Sequence, residues 1–305
     1  MDRAKAYLGW LPTALCLTFV TYSLGHHWGK VVTLVSQPPS FILLMLAGAV
    51  TLLAHGWSAW VWGWLIRWLG QPVSGAWVIL IYLRTNIWKY LPGNLWHFYG
   101  RLQALRQSGV DIPKASLAVG LEPLLMAAAA LIVGLAYPGP YWLWQLLILL
   151  SLMVGLQPRW INTLLLRLRT KVQTSPGVRL QRYPLQPLGG EIVFILLRGL
   201  GFVLVFRSLQ PLDWDSWLPL ISRFSLAWLA GLVVPGAPGG VGVFEAVALG
   251  LLPIGLPPEV KLAGLALYRL VGTLAEVLAA LLALVLKRCG IGSRPPGGAP
   301  PGGGR

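Results

Sequence analysis

Six ionisable residues fall in or near stretches that are otherwise apolar: Glu122, Glu191, Arg198, Arg223, Arg269 and Glu276. A charge facing lipid hydrocarbon costs at least about 2.5–3.5 kcal/mol, so such residues turn inward and find partners. Glu191 and Arg223 lie near the ends of their apolar runs, where a long side chain can snorkel to the interface. Arg198 lies about seven residues into its run, roughly 10 Å deep along a helix, and cannot. Arg269 and Glu276 are on one face of one helix but roughly 10 Å apart along it, so their partners must come from other helices. Two readings follow. The charges form structural ion pairs, or they line a polar cavity that accepts a charged headgroup. Acids and bases nearly balance within these runs, which suits a zwitterionic or anionic lipid held with compensation. Bond-breaking chemistry has no support. His55 and His97 are isolated, the pattern of core or interfacial histidines, and HExxH, GxSxG and GxxxxGKS patterns are absent. Cys16 and Cys289 make neither a metal pattern nor a disulfide framework. No catalytic residue, metal or cofactor is expected.

Two breaks stand beside these charges. The stretch "VPGAPGGVGVFE", residues 234–245, holds Pro235, Pro238 and four glycines, among them Gly239, Gly240 and Gly242, and ends on Glu245. Proline removes a donor and glycine loosens a helix. Backbone freed at membrane depth is tolerated only when buried in protein or lining a watery cavity. The stretch therefore predicts a re-entrant loop, followed by a helix from about Val241 whose first N–H groups suit an anion. Glu245 falls in that first turn, where it either steadies the positive helix end or serves the cavity. The other break, "KYLPGNLWHFYGR", carries Lys89, Tyr90, Pro92, Gly93, Trp96 and Arg101. It reads as a re-entrant segment or as an interfacial elbow. "PGNLWHFY" (92–99) aligns with "PGGVGVFE" (238–245). Arg84 and Arg223 precede the two breaks, and Glu122 and Arg269 follow them by about 30 residues. Transporters are often built from such repeats, with broken helices at matching places.

These residues need long apolar elements to position them. Of 305 residues, 56% are apolar and 11% charged, against about 25% charged in a soluble domain. The fold class predicted is an all-α polytopic transmembrane bundle of about seven or eight spans with re-entrant or broken Pro/Gly segments. The alternating pattern of a membrane β-barrel is missing. Spans are expected at about 7–24, 40–64, 117–136, 141–156, 191–209, 217–234 and 260–286, with a short helix at 243–252. One domain covers 1–288, and a Pro/Gly-rich tail covers 289–305. Trp57, Trp60, Trp62, Trp64 and Trp68 form an interfacial belt. The formal charge of +15 sits mostly in loops, which points to orientation and anionic lipid rather than nucleic acid. The basic loops 67–116 and 157–190 lie on one side if the spans between them form a hairpin. By the positive-inside rule that side, the N-terminus and Lys287–Arg288 are cytoplasmic, which needs an even number of crossings. Seven long spans are odd, so the short helix must cross with help or the tail lies outside.

"NIWKYLPGNLWHFYGR", "SLAVGLEPLLMA", "VVPGAPGGVGVFEAVAL" and "LYRLVGTLAEVL" together resemble the lysylphosphatidylglycerol synthase transmembrane-region family, which includes the flippase half of the multiple peptide resistance factor. The resemblance runs over about 8–287. It carries the family's patterns onto Lys89, Tyr90, Pro92, Gly93, Trp96, Arg101 and Glu122, and onto Pro235, Pro238, Gly239, Gly240, Gly242, Glu245, Arg269 and Glu276. It implies a multi-pass inner-membrane protein that handles a lipid or lipid-linked substrate. Bifunctional members continue into a soluble aminoacyl-transferase domain. Here a Pro/Gly tail follows, so lysyl transfer is not expected. Asn94 stands where Pro-Gly-Gly is more usual, which should stiffen that elbow.

The expected function is a lipid flippase or flippase-like transporter that uses neither ATP nor covalent chemistry. Arg269, with Arg223 or Arg198, would bind the lipid phosphate. Glu122, Glu245 and Glu276 would balance the arginines, with Arg84 also assigned to the polar cavity. The broken segments would form a gate. The partners expected are membrane lipids and no nucleic acid, with self-association left open. The rival expectations are an intramembrane transferase or accessory subunit of polyprenyl-linked glycan or lipid synthesis, and a scaffold that merely fills an ionic core.

Overall fold

The computed structural model describes residues 40–71, 73–91, 94–170, 182–234, 237–253 and 255–292. The first expected span, Pro92, Gly93, Pro235, residues 171–181 of the basic loop 157–190, and the tail from 293 onward lie outside the described residues.

The described residues are all-helical, without a strand. The helices are α1 (Phe41–Trp68), α2 (Gly75–Asn86), α3 (Trp96–Gln107), α4 (Ile112–Leu135), α5 (Trp142–Gly155), α6 (Pro158–Thr170), α7 (Leu185–Leu209), α8 (Trp217–Val233), α9 (Val243–Leu251) and α10 (Pro258–Arg288). Short 3₁₀ turns at Ile87–Tyr90, Trp214–Ser216 and Pro238–Gly240 join α2 to its break, α7 to α8, and α8 to α9. Five helices are long and apolar enough to cross a membrane: α1, α4, α7, α8 with its leading turn, and α10. This fits a membrane-embedded protein. The structure differs from the expected seven or eight spans in two places besides the undescribed first one. The 141–156 element is a helix of 14 residues, about 21 Å long and short of a hydrocarbon core of about 30 Å. The 217–234 element turns back on itself through α9.

Contacts at the helix ends fix the direction of each element. We term the end of the bundle where α1 starts face I, and the opposite end face II. Ser40 N–H donates to Ser208 O at 3.2 Å, and Trp57 Nε1 donates to Gly190 O at 2.8 Å further along. α1 and α7 are therefore antiparallel. They approach closely because Gly201 lies against Thr51, where an added Cβ would sit 2.8 Å from Oγ1. Small residues at such a crossing let apolar helices gain dispersion contact that lipid cannot supply. α4 ends on face I beside the start of α8, where Ser222 Oγ donates to Gly134 O at 2.6 Å. α9 returns to face I, where Lys261 Nζ at the start of α10 donates to Leu252 O at 3.3 Å. α10 ends on face II, where Gly292 lies against Ala76 and Trp77 at the start of α2.

The chain is thus duplicated and inverted. α1, α2, α3 and α4 form one unit, and α7, α8, α9 and α10 form another of the same order. Corresponding helices start between 142 and 147 residues apart (41 to 185, 75 to 217, 96 to 243, 112 to 258). In the first unit a hairpin, α2–α3, dips in from face II. In the second a hairpin, α8–α9, dips in from face I. Each hairpin leaves and returns to one face and so adds no net crossing. α5 and α6 connect the units, and Tyr183 Oη, just before α7, donates to Met153 O near the end of α5 at 2.8 Å.

The core is continuous around these elements. Trp62, Leu65 and Ile66 of α1 pack with Leu105 of α3 and Leu125 of α4. Phe202, Phe206, Phe224, Phe244 and Tyr268 form an aromatic cluster in the second unit. Apolar side chains remain on the outer faces of α1, α5 and α10, including Phe41, Leu147 and Leu281, as a bilayer-facing surface requires.

Candidate functional site

The two hairpin tips meet inside the bundle. An added Cβ on Gly239 would lie 2.6 Å from Cε1 of Tyr90, so the ring of one tip rests on the bare backbone of the other. Gly239 and Gly240 have φ of +58° and +71°, a region that costs an L side chain about 1–2 kcal/mol. Gly240 also touches backbone: an added Cβ would lie 3.0 Å from both Cα and O of Gly231. In the first hairpin Asn94 has φ +51°. By the alignment of the two breaks it is the counterpart of Gly240, and asparagine is one of the few side chains that tolerates this region. That explains how Asn stands where glycine is expected.

Each unit then closes an ion pair between its short helix and its long one. In the first unit Arg101 of α3 meets Glu122 of α4, with Nη1 2.5 Å from Oε2 and both residues buried. Tyr82 Oη donates to the other carboxylate oxygen at 2.7 Å and shares a hydrogen bond of 2.7 Å with Ser58 Oγ. The guanidinium lies 3.7 Å from the centre of the Tyr82 ring. In the second unit Glu245 of α9 meets Arg269 of α10, with Oε1 2.5 Å from Nε. The charge order is reversed: the short helix carries the cation in the first unit and the anion in the second.

The second pair also repairs the break. Arg269 Nη1 and Nη2 donate to Gly239 O and Gly240 O, each at 3.0 Å. Glu245 Oε2 accepts from Gly242 N–H at 2.7 Å and caps the start of α9. Carbonyls and an N–H freed by the Pro/Gly stretch are satisfied by these two side chains. Of the two roles open for Glu245, the helix-end role is occupied. Three of the five N–H donors of Arg269 are committed to the protein, which leaves two for the cavity it lines.

Between the tips lies a polar cavity. One lobe, of about 220 Å³, opens among Asn94, Trp228, Gly239, Phe244 and Arg269. An adjoining lobe of about 90 Å³ reaches His55, Tyr82 and Glu122. Lys89, His97, Arg198 and Glu276 border both lobes. His55, Arg198, Glu122 and Glu276 fall in the middle thirds of α1, α7, α4 and α10, so the cavity sits near mid-depth. Lys89, on the 3₁₀ turn at the first tip, places Nζ 2.7 Å from Glu276 Oε1. His55 Nε2 lies 3.3 Å from the same oxygen.

Arg198 is different from the other buried cations. Its Nη1 lies 3.4 Å from His55 Nε2, and its guanidinium stands 5.2 Å from the centre of the Tyr268 ring. No carboxylate lies within ion-pair distance of it among the described residues, and its Nε has no partner. Buried orphans of this kind call for a water, an ion or a ligand.

The remaining expected residues lie elsewhere. Arg84 borders a separate recess of about 220 Å³ at face II, with Trp77, Gln107 and Lys287. Arg223 lies 5.5 Å from the centre of the Tyr137 ring near face I. Neither borders the cavity. Trp96 is half exposed on α3, with its ring 6.4 Å from Tyr99. Glu191, expected to snorkel, is buried, and its Oε2 has no hydrogen-bond partner. Sequence reasoning passed over His55, His97, Tyr82 and Tyr268. Tyr268 alone is marked, by the adjoining Arg269 in "LYRLVG", because tyrosine and histidine are at home in any apolar helix.

Compared with known families and proteins, the chain matches no family model and no curated protein.

Proposed function

We propose that the protein is a transporter that moves a lipid or lipid-linked molecule with an anionic headgroup between leaflets, in the manner of a flippase. The observation that carries this reading is the cavity between the two inverted hairpin tips. It holds one arginine without a carboxylate at mid-depth. Broken helices that meet at mid-depth in inverted units are the usual architecture of a substrate site with alternating access. The closed pairs Arg101–Glu122 and Glu245–Arg269 are neutral. Lys89 and Arg198 against Glu276 then leave the lysine, arginine and carboxylate groups of the lining with one positive charge in excess. The resemblance to the lysylphosphatidylglycerol synthase transmembrane region points the same way. Face II carries Arg67, Arg106, Lys114, Lys287 and Arg288, which supports a cytoplasmic assignment of that face by the positive-inside rule.

The test is movement itself. The purified protein in liposomes is given headgroup-labelled fluorescent lipids, and a membrane-impermeant quencher reads the outer leaflet. An anionic lipid should become accessible faster than in protein-free liposomes, and Arg198→Gln should slow it at least tenfold. Equal rates with and without protein, under an imposed ion gradient and without one, would sink the reading.

A further inference from the structure

We propose that Glu276 is a tethered stand-in for the ligand: a singly charged phosphodiester, held by Arg198, displaces the Glu276 carboxylate from Lys89 and so loosens the tie of the first hairpin tip to α10. The proposal deepens the transport reading and rests on it for the lipid source of that phosphodiester. The displacement itself rests on the cavity alone.

Glu276 behaves as an anion already bound. Its Oε1 is shared by Lys89 Nζ at 2.7 Å and His55 Nε2 at 3.3 Å. Its Oε2 is buried without a partner. A carboxylate that used both oxygens would be a finished structural pair, as Glu122 is with Arg101 and Tyr82. Glu245 uses both as well. Glu276 uses one, and so offers Lys89 less than a phosphate with two free oxygens would.

The side chains around it fit a phosphate. Arg198 supplies a planar fork suited to two oxygens of one oxyanion, and the same guanidinium lies beside His55. Lys89 supplies a compact cation on a flexible stem. Its side chain keeps 21% of its exposure, so it has room to swing from Glu276 into the cavity. The charge selects among phosphates. The lining carries one positive charge in excess, so a phosphodiester, with one negative charge, leaves it neutral. A doubly charged phosphomonoester leaves a net negative charge and a zwitterionic headgroup leaves a positive one, and a net charge in a buried cavity is costly. When Lys89 moves to the ligand, Glu276 retains His55. The tip then loses its ionic tie to α10 and keeps Tyr90, whose ring rests on Gly239 and whose hydroxyl faces Thr273 and Glu276 of α10.

The experiment reads binding, not movement. The full-length protein in detergent is titrated by calorimetry with dimethyl phosphate, dihexanoyl phosphatidylglycerol and dihexanoyl phosphatidylcholine. Both phosphodiester anions should bind saturably, the lipid more tightly, with phosphatidylcholine at least tenfold weaker. Dimethyl phosphate binding with no binding of the lipid keeps the displacement and reassigns the site to a soluble phosphodiester, which sinks the lipid source. Arg198→Gln should weaken both anions at least tenfold. Glu276→Gln removes the competitor and should tighten them three- to tenfold. A folded Glu276→Gln protein with unchanged or weaker binding overturns the proposal. Wild-type protein gives an independent check if that variant does not fold. Amide hydrogen exchange at 87–91 should rise when dimethyl phosphate saturates the protein, and protection that is unchanged or stronger overturns the displacement. Phosphodiester binding without lipid movement would sink the transport reading and leave this one standing. Lipid movement without phosphodiester binding would do the reverse.

Discussion

Arg269 and Glu245, 24 residues apart, hold the second break together, with Nε 2.5 Å from Oε1 and the two remaining guanidinium nitrogens on the carbonyls of Gly239 and Gly240. Glu245→Gln keeps an oxygen for Gly242 N–H but removes the charge. It should lower thermal stability in detergent by about 1–3 kcal/mol, the usual range for a lost charged hydrogen bond. Arg269→Gln strips two carbonyls as well and should cost more. Equal melting temperatures for the two variants would show that the carbonyl bonds carry no weight.

The meeting of the tips makes a prediction that only a direct contact would obey. Gly239→Ala forces a Cβ into the Tyr90 ring and a side chain into positive φ. It should destabilise the protein by more than the about 1–2 kcal/mol of backbone strain. Tyr90→Ala should recover the excess in the double variant and leave the strain. Additive losses would place the tips apart.

Much of this arrangement was legible beforehand, and the parts that were not have physical reasons. The break at 234–242 could be read because prolines and glycines cannot sustain a helix. The helix does end at Val233 and resumes at Val243. The duplication showed through eight aligned residues. Its inversion did not, because direction depends on end-to-end contacts such as Ser40 with Ser208. The burial of Glu122 followed from the cost of a charge in lipid. The split of the arginines did not: Arg101, Arg198, Arg223 and Arg269 look alike in sequence. Only the fold gives one a carboxylate and a stacked tyrosine, one a ring of histidine and tyrosine, one a surface aromatic, and one a broken loop. His55 was passed over as a core histidine because its neighbour Glu276 lies 221 residues away.

The first-unit pair is buried and fully bonded, so its loss should be asymmetric. Arg101→Met leaves Glu122 uncompensated and should cost about 3–5 kcal/mol. Arg101→Met combined with Glu122→Met should recover most of that, because the pair's attraction largely offsets its desolvation. Thermal unfolding of the three variants in detergent checks this. A double variant as unstable as the single one would mean that the pair contributes net stability beyond its desolvation cost.

The course of the chain is testable without a structure. Gln107, the last residue of α3, lies at face II, and Asp213, before α8, lies at face I, both exposed. In a protein freed of Cys16 and Cys289, a cysteine at Asp213 should react with an impermeant thiol reagent in intact cells. A cysteine at Gln107 should react only after lysis. Labelling of both from one side would overturn the inverted arrangement.

The antiparallel course of α1 and α7 has an energetic consequence. A molecule of two like halves, one upside down, has two forms in which the halves exchange conformations, and the second form opens toward the opposite leaflet. The gap between the forms is then set only by where the halves differ. The reversed order of Arg101–Glu122 and Glu245–Arg269 is such a difference, and so is Asn94 against Gly240. Asn94→Gly, which makes the two tips alike at this position without adding a side chain, should therefore shift the balance between the two openings while leaving the helices in place. Spin-label distances across each face would read that shift, and unchanged distances in the folded variant would rule it out.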